Sequence, residues 1–125
     1  MMTTPPSEKA RPTVLLMEHD QLTLHVLNGI LRSRGFEVIT TNEAYGYEPM
    51  MPLVDVLICA YDMPFVVVKD MLGTIKRTWP DKRVFLTSAT SIEELTEGTH
   101  DHIDGFIPKP FEMDRINEII DQIAA

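Results

Sequence analysis

The sequence predicts an α/β fold, a five-stranded doubly wound parallel sheet flanked by helices. Three observations carry that expectation. Residues 54–60 (VDVLICA) are a near-continuous apolar run of strand length, rich in β-branched side chains, with Pro64 soon after. A short strand that is apolar on both faces belongs in the middle of a parallel sheet covered on both sides. Four further runs, at residues 13–17, 36–40 and 83–88 and at Phe106-Ile107, alternate with helical patterns. That alternation is the mark of right-handed crossovers onto one sheet. Finally, 125 residues with 44% hydrophobic and 24% charged side chains are enough for one domain with a usable core.

Taken in order, residues 1–12 are polar and Pro-rich and lack the apolar core of a signal peptide, so they read as a loose tail before a domain at 13–125. The first strand, 13–17, runs into Glu18-His19-Asp20, and Asp20 is a suitable N-cap. Leu24, Leu27 and Leu31 share one helical face with Val26 and Ile30 beside it; Arg32 and Arg34 suit the end of the dipole, and Gly35 the C′ position. A second strand follows at 36–40. Between Asn42 and Pro52 a helix is due, yet Gly46, Pro49 and Pro52 allow one or two turns at most. After the central strand, Val68, Met71, Leu72 and Ile75 have helical spacing, which stops at Trp79-Pro80. Strand 83–88 precedes a capping-box pattern, Ser91 as N-cap with Glu94 at N3, for a short fourth helix cut off by Gly98 and His100-Asp101-His102. Asp104-Gly105 is a turn signal, Lys109-Pro110 ends the fifth strand, and Ile116, Ile119, Ile120 and Ile123 form one stripe of a fifth helix.

Composition excludes several functions. A net charge of -8 argues against a nucleic-acid surface, which is usually basic. No run is long enough to span a membrane. Cys59 is the single cysteine, so no internal disulfide can form, and a cytoplasmic location is the default. Cys59 itself reads as a packed apolar residue.

In an open α/β sheet the functional crevice lies beyond the carboxyl ends of the strands. There the topology gathers Glu18 and His19, Ala60, Ser88 and Lys109. An acid pair, an acceptor carboxylate, a hydroxyl and a lysine in that arrangement would make a metal-dependent phosphoryl-transfer pocket. Mg²⁺ takes carboxylate and phosphate oxygens, and lysine supplies a point charge.

The segments that flank these residues carry a resemblance. Val14-Leu15-Leu16-Met17, then Asp55-Val56-Leu57-Ile58 with Met63-Pro64, then Leu86-Thr87-Ser88-Ala89, then the run Gly105 to Phe111 (GFIPKPF) stand in order and at matching spacing. Together they resemble the receiver domain of bacterial two-component response regulators, over about residues 13–123. The resemblance implies a phosphorelay signalling context, with Ser88 at the hydroxyl position, Lys109 as the lysine of the pocket and Phe106 at an aromatic switch position. It also exposes departures. The family's phosphoacceptor Asp, three residues before Met-Pro, is Ala60 here, which has no oxygen to accept a phosphoryl group. The family's acid pair falls on Glu18-His19, and the loop after Met-Pro is the apolar Phe65-Val66-Val67-Val68. With two of three expected carboxylates missing, Mg²⁺ binding is expected to be weak or absent, and no cofactor is expected.

These departures set the expectations for each residue. Lys109, without an acceptor opposite, is expected to pair with Glu18, because an unpaired buried charge is costly. Asp62 lies two residues past Ala60 and is the alternative phosphoacceptor; its plainer role is a solvated loop carboxylate. His19 reads as an exposed loop histidine, and no metal site is assigned. Ser88 is expected to bond local backbone. Phe106, with Phe65 and Val66, is the expected switch and partner surface, although an early third helix could bury the latter pair. The first functional reading is a pseudo-receiver, non-enzymatic and independent of phosphorylation. It would bind a signalling protein, a histidine kinase or a second copy through the face of the fourth helix, fifth strand and fifth helix. The second is a working phosphoacceptor that uses Asp62. A flavin enzyme on the same sheet ranks last, because no glycine-rich phosphate loop follows the first strand. No output domain fits in the chain, so output would pass through another protein or a longer chain.

Overall fold

The computed structural model describes residues 11–124. Most of the expected tail therefore lies outside the described residues. Arg11 is described, and its guanidinium sits 5.5 Å over the centroid of the Phe36 ring.

Five parallel strands make one sheet in the order β2-β1-β3-β4-β5. They are β1 (Thr13–Met17), β2 (Glu37–Thr41), β3 (Val56–Ala60), β4 (Arg83–Ser88) and β5 (Gly105–Pro108). Every residue of β1 and β3 is buried. The continuous apolar runs are explained by cover on both faces. On one face, helix α1 (Gln21–Ser33) and helix α3 (Met113–Ala124) lay Leu27, Leu31, Ile116, Ile119, Ile120 and Ile123 over Leu16, Ile58 and Phe85. On the other, helix α2 (Val68–Thr78) sets Val68, Met71, Leu72 and Ile75 against Leu15, Leu57 and Leu86.

Among the described residues the second face has one α-helix, and irregular segments complete it. Between β2 and β3 the chain makes a 3-10 helix, Glu48–Leu53, with Pro49 at its start and Pro52 inside it. Prolines that deny a long helix still allow this tight turn, and it drives Met51 to full burial. Met17, Met51, Met63 and Met71 all pack into this face. Unbranched, polarizable thioethers suit the uneven gaps that short turns leave.

The fourth helix is where the structure departs from expectation. Two 3-10 turns, Ile92–Glu94 and Thr99–His102, replace it. Ser91 makes no side-chain cap bond, so the capping box does not form. Only Ile92 and Leu95 offer apolar contacts before Gly98, which takes a left-handed φ of +89°. Two anchors and two successive tight turns (Glu94 N–H to the Ser91 carbonyl at 3.0 Å, Leu95 N–H to the Ile92 carbonyl at 3.5 Å) do not repay helix nucleation. Strand boundaries also move, and β5 takes in Gly105, read from the sequence as part of a turn. Phe36 packs in the core ahead of β2, and β3 starts after Asp55, whose carboxylate accepts from the Thr13 N–H at 2.8 Å.

The remaining ends are as the residue types demand. Asp20 caps α1, accepting from the Thr23 N–H at 2.9 Å and the Thr23 hydroxyl at 2.6 Å; those bonds hold its carboxyl below the usual range. Gly35 leaves α1 with a φ of +88°. Asp104 ties β4 to α2, with one carboxylate oxygen 2.7 Å from the Val84 N and 2.6 Å from Lys76 Nζ.

Candidate functional site

The pocket is built by extending the strand ladders one residue past the carboxyl edge. The Glu18 N–H donates to the Thr41 carbonyl at 3.0 Å, Tyr61 to Thr87 at 2.8 Å and Lys109 to Ser88 at 2.8 Å. Backbone bonds thus hold three of the residues that line the edge, and their side chains are aimed before any of them meet. The peptide from Lys109 to Pro110 is cis.

Glu18 is the centre of the arrangement. It is 1% exposed, and its two oxygens face different partners. Oε1 accepts from Lys109 Nζ at 2.7 Å. Oε2 accepts from the Asp20 N–H at 3.1 Å and lies 3.4 Å from His19 Nδ1. The expected Glu18–Lys109 pair is therefore present. It is shielded from water on the carboxylate side, while the Lys109 side chain keeps 19% exposure.

Ala60 ends β3 at 1% exposure and packs in the core of the α2 face. Asp62 is 66% exposed, but its Oδ1 reaches to 4.0 Å from Lys109 Nζ, so it is not a purely solvated loop residue. Ser88 is buried and bonds locally, its Oγ accepting from the Thr90 N–H at 2.9 Å. Cys59 is fully buried, 3.8 Å from Met17 Sδ, and burial pushes its thiol far up, which makes it inert as a nucleophile.

The expected partner surface divides. Phe106 points into the core of the α2 face, and its carbonyl accepts from Arg115 Nη2 at 2.8 Å. Phe65 is 96% exposed and Val67 60%, while Val66 is half-buried and only Val68 enters the core. The third helix therefore does not start early enough to cover Phe65. With α-helix absent from residues 91–103, the docking face expected there is made of 3-10 turns beside β5 and α3.

Sequence reasoning missed two contacts. The Tyr61 hydroxyl accepts from the Thr96 N–H at 3.0 Å and also bonds the Thr96 hydroxyl, tying the end of β3 to the segment after β4. The Asp20 N–H holds Glu18 Oε2. The first pair is 35 residues apart, and no local pattern encodes it.

The strand order reverses direction of growth at β1 and β3, and the crevice beyond their ends holds Glu18 and Ala60; this is the flavodoxin-like class of doubly wound domain. Within that class, the profile of the response regulator receiver domain matches residues 14–121, and the chain belongs to that family. Solved structures share the fold. The signal receiver domain of an HD domain-containing protein from Pseudomonas fluorescens matches with a TM-score of 0.82 and 18% identity, covering 99% of this chain and 91% of that one. A response regulator protein from Thermotoga maritima, in complex with Mg²⁺-BeF, gives 0.79 and 18% over 90% of this chain and 98% of that one. A receiver protein from Pseudomonas putida gives 0.77 and 21% over 91% and 98%. No curated protein matches the sequence.

The donors at this edge do not suit the Mg²⁺ that the resemblance implies. Mg²⁺ asks for hard oxygens in near-octahedral array. Here the edge offers Glu18, with one oxygen engaged by Lys109, the exposed Asp62 and an imidazole. Among the described residues no helix is long and apolar enough to cross a membrane.

Proposed function

We propose that this receiver domain acts as a pseudo-receiver, a protein-interaction module that works without aspartyl phosphate. One observation carries the reading. The residue that ends β3 is Ala60, whose side chain has no oxygen, and the Lys109 ammonium is already paired with Glu18 at 2.7 Å. An acceptor site needs a carboxylate facing a free lysine. This one has a methyl group and a lysine engaged elsewhere. Mg²⁺ would bind weakly, and the output would be binding to a protein partner, either a signalling protein, a histidine kinase or a second copy.

A second reading is favoured by one distance. Asp62 Oδ1 lies 4.0 Å from Lys109 Nζ, and that distance supports Asp62 as the acceptor in this reading. Intact-protein mass spectrometry after incubation with acetyl phosphate and Mg²⁺ decides between them. The expected spectrum is unchanged. A gain of one phosphoryl group that disappears in Asp62→Ala would replace the first reading with the second.

The apolar loop supports a binding role. Phe65 holds a φ of +66°, a left-handed conformation that is costly for a bulky residue, yet its ring is 96% exposed and packs on nothing that would offset the cost. Phe65→Gly is expected to raise stability by about 1 kcal/mol, because glycine takes this conformation without clash. Urea denaturation reads the gain. Paired with weaker partner binding, it would mark a residue kept for contact at the expense of stability.

A further inference from the structure

The Glu18–Lys109 pair leaves half of the pocket unused. Lys109 takes Glu18 Oε1 only. Oε2 faces away from it, 3.4 Å from His19 Nδ1, and the ligand atoms of Glu18, His19 and Asp62 all lie within 4.8 Å of one another. Two donors bound to one tetrahedral ion at about 2.0–2.1 Å stand about 3.3 Å apart. The Glu18–His19 separation, 3.4 Å, is close to that value. Asp62 is the third donor and is 66% exposed.

We propose that Glu18, His19 and Asp62 form a site for a first-row transition-metal dication of the zinc type, with water completing its shell. Three features support this. The imidazole favours such ions over Mg²⁺, which prefers oxygen alone. Glu18 is preorganised, because Lys109 and the Asp20 N–H hold its carboxylate where β1 ends. The local charge also suits a dication: the carboxylates of Glu18, Asp20 and Asp62 outnumber the one ammonium, that of Lys109. Glu18 and His19 are adjacent in sequence, and both reach this pocket because the chain leaves the strand geometry after Met17. The proposal goes beyond the interaction role and is independent of whether Asp62 accepts a phosphoryl group.

Cobalt titration of the untagged full chain, followed by visible absorption, tests it. The expected result is one Co²⁺ per chain, displaced by equimolar Zn²⁺ but not by about a thousandfold excess of Mg²⁺. His19→Ala and Asp62→Ala remove partly exposed side chains, so the fold is retained. Each should weaken Co²⁺ binding at least about tenfold. Joint substitution of His100 and His102 by alanine should leave it unchanged. The proposal is overturned if no Co²⁺ binds, if Mg²⁺ competes at similar concentration, or if binding survives either His19→Ala or Asp62→Ala. The phosphorylation experiment reads a different quantity, so failure of one reading does not imply failure of the other.

Discussion

Lys109→Met is expected to lower folding stability by about 3 kcal/mol, because it strands a buried carboxylate. Glu18 is 1% exposed and cannot reach water when its partner is removed. The Asp20 N–H at 3.1 Å compensates it only in part. The opposite substitution should cost less. With Glu18→Gln the lysine, already 19% exposed, can carry its ammonium outward along its own stem, so the loss is about 1–2 kcal/mol. Combining Lys109→Met with Glu18→Gln removes both charges together, and the double variant should regain most of the stability lost in Lys109→Met. Urea denaturation of the four proteins, with slopes unchanged, reads these differences as shifts in midpoint. Equal losses in the two single variants would mean that the pair is not asymmetric in burial. A double variant as unstable as the sum of the singles would mean that the two charges do not compensate each other.

Phe85→Ala should cost about 3–5 kcal/mol, the usual loss for an aromatic deleted from a packed core. Phe85 is among the largest fully buried side chains, in the middle of β4 and against the α1 and α3 face. Its ring lies over Gly105, the first residue of β5. A Cβ placed on Gly105 would come within 2.6 Å of two ring carbons. The glycine is thus required by close approach, at a position where the turn pattern alone would accept other residues. Gly105→Ala overpacks the same spot and should cost about 1–3 kcal/mol. The two sites are directly coupled, so Gly105→Ala combined with Phe85→Leu should lose less than the sum of the separate losses. Strict additivity would show that the ring and the glycine do not contend for the same space.

Much of this chain was legible in one dimension because its strongest signals are local. Continuous apolar runs identify strands buried on both faces, and they reported β1, β3 and β4 to within a residue or two. The stripe of four isoleucines located α3. Pro49 and Pro52 foretold that the second crossover would not be a long helix, since a missing N–H and a fixed φ act within a turn. The signal at Ser91 and Glu94 misled for the same reason in reverse. A capping box names where a helix can start, but whether one forms depends on an apolar face long enough to repay nucleation, and Gly98 ends it too soon.

At the site, sequence by itself determined the residue types, including Ala60 where an acceptor would stand, and the opposite charges of Glu18 and Lys109. A buried lysine's need for a partner was enough to foresee their pairing. Tertiary structure alone decided how the carboxylate is shared. One Glu18 oxygen goes to Lys109, and the other turns toward the Asp20 N–H and His19. It also decided that Asp62 approaches Lys109, that Tyr61 reaches Thr96, and that Phe65 stands in solvent while Phe106 points inward. The physical reason is common to all of these. Period and propensity act over a few residues, whereas the direction a side chain takes at a strand end is set by what the neighbouring strands bring there.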